Sequence, residues 1–194
     1  VPFVCLPQLI GEELIGRRPT VVVAGTHGKT TTTSLTAFAL CEAGSNPGYL
    51  VGGVPLDLSS GCELGGSEAP FVIEGDEYDS AFFDKRSKFI HYLPEVAIIN
   101  NLEFDHADIF DNLGDVQKSF RQFINLIPNN DLLLANGDDA NLAPLLDFPH
   151  CPVRRFGLAE ANEVRASGLE FPVEGSRFSV DVFEFSIPLC GELN

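Results

Sequence analysis

Thr20-Val21-Val22-Val23-Ala24-Gly25-Thr26-His27-Gly28-Lys29-Thr30-Thr31 is the stretch that decides the fold. Thr20 to Ala24 is a compact β-branched run, with Pro19 before it and Gly25 after it. Such a run predicts a strand buried on both faces, as in a parallel sheet. Gly28 to Ala43 predicts a helix, with Gly44 placed to cap its C-terminus. The glycines between strand and helix let the backbone approach an anion closely. Successive N–H groups and the helix N-terminus then form a positive concavity. Lys29 is placed to reach terminal phosphates, and the Thr30 hydroxyl to sit on a divalent metal. Gly25, Thr26, His27, Gly28, Lys29, Thr30 and Thr31 are therefore candidate phosphate-binding residues. The general phosphate-loop pattern has a further glycine where Val23 stands, so only the shorter form is present. Threonines at 30 to 33 are poor helix material, a local compromise of the kind found at functional sites.

Working outward, Phe71-Val72-Ile73, Val96-Ala97-Ile98-Ile99 and Leu132-Leu133-Leu134-Ala135 predict three more buried strands. Asp115 to Ile127 predicts a helix with Phe120, Phe123, Ile124 and Ile127 on one face. A further helix is expected from Asp139 to Leu146, and a short connector helix from Pro7 to Ile15. Alternating strands and helices imply right-handed βαβ units. The expected class is α/β: an open parallel sheet containing the phosphate loop, with helices on both faces. Val164 to Phe171 and Phe178 to Phe185 alternate like strands around Glu174-Gly175-Ser176. They predict a small antiparallel β element near the C-terminus.

The 194 residues are 44% hydrophobic, enough for one domain with a real core. The formal net charge of −16 disfavours nucleic acid and anionic membrane as partners. An anionic ligand must then be held by local features: backbone amides, a lysine or a metal. The five cysteines are odd in number, widely spaced and without a C-x-x-C pair. Neither a disulfide framework nor a zinc site is expected, and a reducing cytoplasm fits. No apolar run approaches the ~18 residues of a membrane span, and no signal peptide is recognisable. A chain opening at Val1 and lacking Met reads as an excised domain.

Glu74 follows Phe71-Val72-Ile73, so it is expected in the crevice at the C-terminal ends of the strands, where α/β sheets bind ligands. It is a candidate metal ligand. Asp76, Glu77 and Asp79 are expected to be solvated loop charges. Asn100 to Asp108 follows Val96 to Ile99 in the same way. It carries His106, flanked by acids, as a second candidate metal ligand. Mg²⁺ prefers oxygen donors, and Mn²⁺ suits a histidine better. His91 and His150 have no suggestive neighbours and are expected to be structural or surface residues.

G-T-H-G-K-T-T at 25–31, E-G-D-E-Y-D at 74–79 and N-N-L-E-F-D-H-A-D at 100–108 together resemble the Mur ligases. Within that family, the stretches 51–55, 76–92 and 100–111 resemble the murein peptide branch of peptidoglycan recycling. The resemblance is strong from about Thr20 to Ile127 and thin after Asp138. It implies three domains. Residues 20–194 would be the central ATP-binding domain, and residues 1–19 a connector from a UDP-binding domain. A C-terminal lid domain would lie outside this chain. Lys29 would bind the terminal phosphates of ATP, and Thr30 and Glu74 a Mg²⁺ (or Mn²⁺) bridging them. His106 would hold a second metal, making Lys29, Glu74 and His106 the implied catalytic set. Gly191-Glu192-Leu193-Asn194 resembles the family's G-x-H-N stretch, with Leu193 where His is common, so Asn194 would contact adenine. Many relatives carry a carbamoylated lysine further on. Here that role is unassigned between Lys118 and Arg121, the latter chemically unable to fill it. The implied reaction joins UDP-N-acetylmuramate to the murein tripeptide L-alanyl-γ-D-glutamyl-meso-diaminopimelate through an acyl phosphate. Alternatives are another Mur ligase, a folylpolyglutamate synthase-like ligase (disfavoured by the string at 76–89), or a nucleotide-binding module inactive on its own.

Overall fold

The structure is a computed structural model that describes residues 3–105, 109–147 and 149–189. Strand β1 (Thr20–Ala24) lies at the middle of a large sheet. On one side it pairs in parallel with β4 (Phe71–Gly75), which pairs with β2 (Gly48–Leu50). β3 (Cys62–Glu63) closes that edge antiparallel to β2. On the other side β1 pairs in parallel with β7 (Val96–Ile99), followed by β8 (Leu132–Asn136), β9 (Val153–Gly157) and β10 (Val164–Glu170). Antiparallel β11 (Ser176–Val180) and β12 (Phe183–Ile187) extend the sheet beyond β10. A separate hairpin of β5 (Asp79–Ala81) and β6 (Asp84–Ser87) lies between β4 and β7 in sequence.

Strand order diverges around β1, all strands there running parallel: β4 and β2 lie to one side, β7 and β8 to the other. A crevice at the C-terminal ends of β4, β1 and β7 follows from that topology. Helix α1 (Leu6–Leu9) runs into a π-helical turn, Ile10–Ile15, so the expected connector helix is present but not wholly α. Helices α2 (Lys29–Glu42) and α3 (Leu113–Ile124) cover opposite faces of the sheet. Strand alternation makes this possible, because neighbouring residues point to opposite sides. Ala37 of α2 packs with Tyr49, Val51 and Val72. Val116, Phe120, Phe123 and Ile124 of α3 join Val22, Ala24, Ile73, Ala97 and Ile99 in the larger core. Phe89 binds the two layers there, with its ring 5.4 Å from Phe120 and 4.6 Å from Phe123. Burying each such side chain stabilises the fold by about 1.5–3 kcal/mol. The N-cap of α3 is Asn112, whose side chain accepts the Asp115 N–H at 3.1 Å.

Two expected elements take another form. Residues 139–146 form turns and a short 3₁₀ segment, Ala143–Leu145, not an α-helix. The Asp139 side chain takes the N–H groups of Asn141 and Leu142, and such local bonds compete with a helix; Pro144 also lacks an N–H. Residues 178–185 are not one strand. They are the halves of a hairpin folded at Asp181, whose φ of 52° is left-handed. The rings of Phe178 and Phe185 stack across it at 5.4 Å.

Candidate functional site

Three loops meet at the C-terminal edge of the sheet: Gly25–Gly28 after β1, residues 76–78 after β4, and residues 100–105 after β7. Gly25 has φ of 137°, and a Cβ there would lie 3.1 Å from the Asn101 backbone. Only glycine lets these two loops approach so closely. Asn101 then braces the phosphate loop. Its Oδ1 accepts the His27 N–H at 2.7 Å and its Nδ2 donates to the His27 carbonyl at 3.2 Å. Asn100 Nδ2 donates to Thr32 Oγ1 at 2.9 Å. Thr26 accepts the Glu103 N–H on its hydroxyl at 2.9 Å. The loop after β7 is itself held from behind, since Leu102 donates to Asp139 at 2.7 Å and Asn141 donates back to the Leu102 carbonyl.

The N-cap of helix α2 is Gly28, which is left-handed and supplies no side-chain cap. Its first N–H groups have no partner within the helix, so they face the crevice together with the positive end of the helix dipole. Lys29 Nζ donates to the Gly25 carbonyl at 2.7 Å and to Glu77 Oε2 at 2.9 Å. Glu77 is 2% exposed. It is therefore a buried partner of the lysine and not the solvated loop charge expected from its neighbours. Asp76 and Asp79 are also ion-paired, with Lys88 and Lys85 respectively, both at 2.7 Å.

Strand β4 continues two residues past Ile73, so Glu74 sits inside it, paired with Val23. Alternation places Glu74 on the same face as Val72, the face that α2 covers. Its Oε2 accepts the Thr30 hydroxyl at 3.1 Å, and its Oε1 accepts the Gly52 N–H at 2.5 Å. Nothing local in the sequence marks Gly52 as a site residue. A Cβ at Gly52 would lie 3.1 Å from both Glu74 carboxylate oxygens, and one at Gly53 would lie 3.2 Å from Thr30. A hydroxyl and a carboxylate are hard oxygen donors that suit Mg²⁺ or Mn²⁺. The structure thus brings together Gly25, Thr26, His27, Gly28, Lys29, Thr30, Thr31 and Glu74. His106 and Asn194 lie outside the described residues. Arg121 is a brace, donating to the Leu145 and Pro144 carbonyls, and Lys118 is exposed.

Residues 23–194 match the family model of the Mur ligase middle domain. The chain belongs to the Mur ligase family. The UDP-N-acetylmuramate–L-alanyl-γ-D-glutamyl-meso-2,6-diaminoheptandioate ligase of Escherichia coli K12 is 46% identical over 142 residues, 73% of this chain and 31% of that protein. The crystal structure of the corresponding ligase from Neisseria meningitidis superposes with a TM-score of 0.87 at 38% identity, covering 100% of this chain and 62% of that one. A murein peptide ligase from Psychrobacter arcticus gives 0.78 at 35%, covering 93% and 40%. The chain spans about a third of the length of the curated relatives it matches, at 31% and 29%. Among these Mur ligase residues no helix is long and apolar enough to cross a membrane, for the residues described.

Proposed function

We propose that residues 20–194 form the ATP-binding domain of a cytoplasmic ligase that joins UDP-N-acetylmuramate to the murein tripeptide, with residues 1–19 as the connector from a UDP-binding domain. The observation that carries the nucleotide part is the meeting of Thr30 Oγ1 and Glu74 Oε2, 3.1 Å apart, beside the uncapped start of α2. Thr30 and Glu74 would hold a Mg²⁺ (or Mn²⁺), which would neutralise charge on the β- and γ-phosphates. The backbone N–H groups of α2's first turn orient the phosphates. Lys29 adds a positive charge beside them, and transfer to a carboxylate needs chiefly such positioning and neutralisation. The net charge of −16 makes these local cations necessary. His106 is assigned to a second metal, and Asn194 to the adenine, by resemblance. The peptide substrate is supported by 46% identity to the E. coli ligase.

Titration calorimetry with a non-hydrolysable ATP analogue and Mg²⁺ tests the domain directly. Saturable binding by this chain, lost in Lys29→Ala, is the expected result. Equal binding by both proteins would refute the phosphate-loop assignment. Incubation with ATP, UDP-N-acetylmuramate and tripeptide tests the isolated chain further. We expect no amide product without the substrate-binding and lid domains.

A further inference from the structure

We propose that Cys5, Asp84 and His91 form a Zn²⁺ site that fastens the segment before β1 to strand β6 and to the 3₁₀ turn Lys88–His91 that follows it. Cys5 is 79 and 86 residues from the other two, so no motif spacing announces the group. The fold brings them together. Cys5 Sγ lies 3.6 Å from His91 Nε2 and 4.0 Å from Asp84 Oδ2, and those last two atoms are 3.1 Å apart. Tetrahedral zinc, with bonds of about 2.3 Å to sulfur and about 2.0–2.1 Å to nitrogen and oxygen, spaces its ligand atoms about 3.3–3.6 Å apart. The observed triangle brackets that range, and closing its longest edge needs a shift of a few tenths of an ångström. Cys5 is 3% exposed, and the side chains of His91 and Asp84 are 8% and 12% exposed.

Hydrogen bonding ties Cys5 only loosely into this group: the imidazole N–H can donate to Asp84 at 3.1 Å, but the Cys5 thiol reaches the same oxygen only at 4.0 Å. Nε2 carries either one proton or one lone pair, yet both neighbours approach that same atom. A cation accepts all three donors at once. The donor set is thiolate, imidazole and carboxylate, which selects zinc over Mg²⁺ or Ca²⁺. In this respect it differs from the all-oxygen pair Thr30 and Glu74. Arg86 holds the Asp84 carboxylate through Nε at 2.8 Å and Nη2 at 2.7 Å. That is the outer-partner role commonly found behind a ligating carboxylate, and Oδ2 keeps a second lone pair for the metal. The backbone also conforms to the site: Gly11, in the π-helical turn, packs so closely on the His91 carbonyl that no Cβ fits between them. The remaining coordination position would be filled by water.

The test uses this chain after chelator treatment, titrated with Zn²⁺ and, as a spectroscopic probe, Co²⁺. One Co²⁺ per chain with a thiolate-to-cobalt charge-transfer band is expected. The band disappears in Cys5→Ser and in His91→Gln, and persists in Cys62→Ser and Glu74→Gln. Zn²⁺ raises the melting temperature of the parent chain by several degrees and leaves that of Cys5→Ser unchanged. Should Cys5→Ser fold poorly without metal, His91→Gln decides. Absence of the band in the parent chain, or a band of equal strength in both variants, overturns the proposal.

Discussion

Lys29 Nζ lies 2.9 Å from Glu77 Oε2, and the Glu77 side chain is only 1% exposed. A phosphate-loop lysine is thus anchored from below by an acid that the sequence places among surface charges. Exposed ion pairs contribute about 0.2–1 kcal/mol, whereas removing one member of a buried pair costs about 3–5 kcal/mol. The lysine side chain is 17% exposed, which puts Lys29→Ala near the lower figure. Urea unfolding of Lys29→Ala, Glu77→Gln and the double variant gives a coupling energy. We expect more than about 1 kcal/mol. A coupling near zero would mean that the pair is incidental to stability.

Gly52 offers a separate handle on the metal ligands. Its N–H reaches Glu74 Oε1 at 2.5 Å, and an added Cβ would press on both carboxylate oxygens from 3.1 Å. Gly52→Ala should therefore turn Glu74 away from Thr30 while leaving the buried core untouched. We expect Mg²⁺-dependent affinity for an ATP analogue to fall about tenfold, equivalent to about 1.4 kcal/mol. The urea midpoint should hardly move. Unchanged affinity in calorimetry would show that the carboxylate accommodates the methyl group.

Asn101 supports the same loop from the opposite strand. Asn101→Ala removes both bonds to His27 and frees the loop that α2's first turn must present. Affinity for the nucleotide should fall several-fold. Asn101→Asp keeps an acceptor for the His27 N–H but loses the donor and adds a negative charge beside the phosphates. Its affinity should fall further than that of the alanine variant, and added salt should narrow the difference by screening. The reverse order in binding titrations would place Asn101 outside the loop's support.

The strands that frame this site were legible because each is a short apolar run: β1, β4, β7 and β8 stand where composition places them. Helix α3 was legible from its apolar stripe, since Phe120, Phe123 and Ile124 are all buried. β9 was not, because Val153-Arg154-Arg155-Phe156-Gly157 has neither an apolar run nor clean alternation. β2 and β3, three and two residues long, carry too little pattern to register. Glu74 was found because a strand points to it. The burial of Glu77 is not legible locally, because burial of a charge depends on a partner from another element, here Lys29. Asn101, Gly52 and the Cys5–Asp84–His91 group depend on tertiary proximity in the same way, and no local spacing encodes it.

Asp138, just past β8, gives a pH-dependent check on the far half of the sheet. Burial by itself would raise its pKa, but the N–H groups of Leu158 and Ala159 and the amide of Asn162 outweigh that and hold it below the usual value. Gly157, at φ of 154°, lets the chain turn around this carboxylate. A pKa lowered by folding contributes stability at pH values above the unfolded one, about 3.9 for Asp. That contribution is lost as pH falls through the folded value. Asp138→Asn removes the charge and points an amide at donors that need an acceptor. The variant should be less stable than the parent chain at about pH 6, and the gap should begin to narrow as pH falls below the unfolded value of about 3.9 towards the lower folded one. Urea midpoints above and below that unfolded value measure the gap. A gap of constant size would assign the loss to altered geometry, and the carboxylate's charge would then have no part in holding the turn.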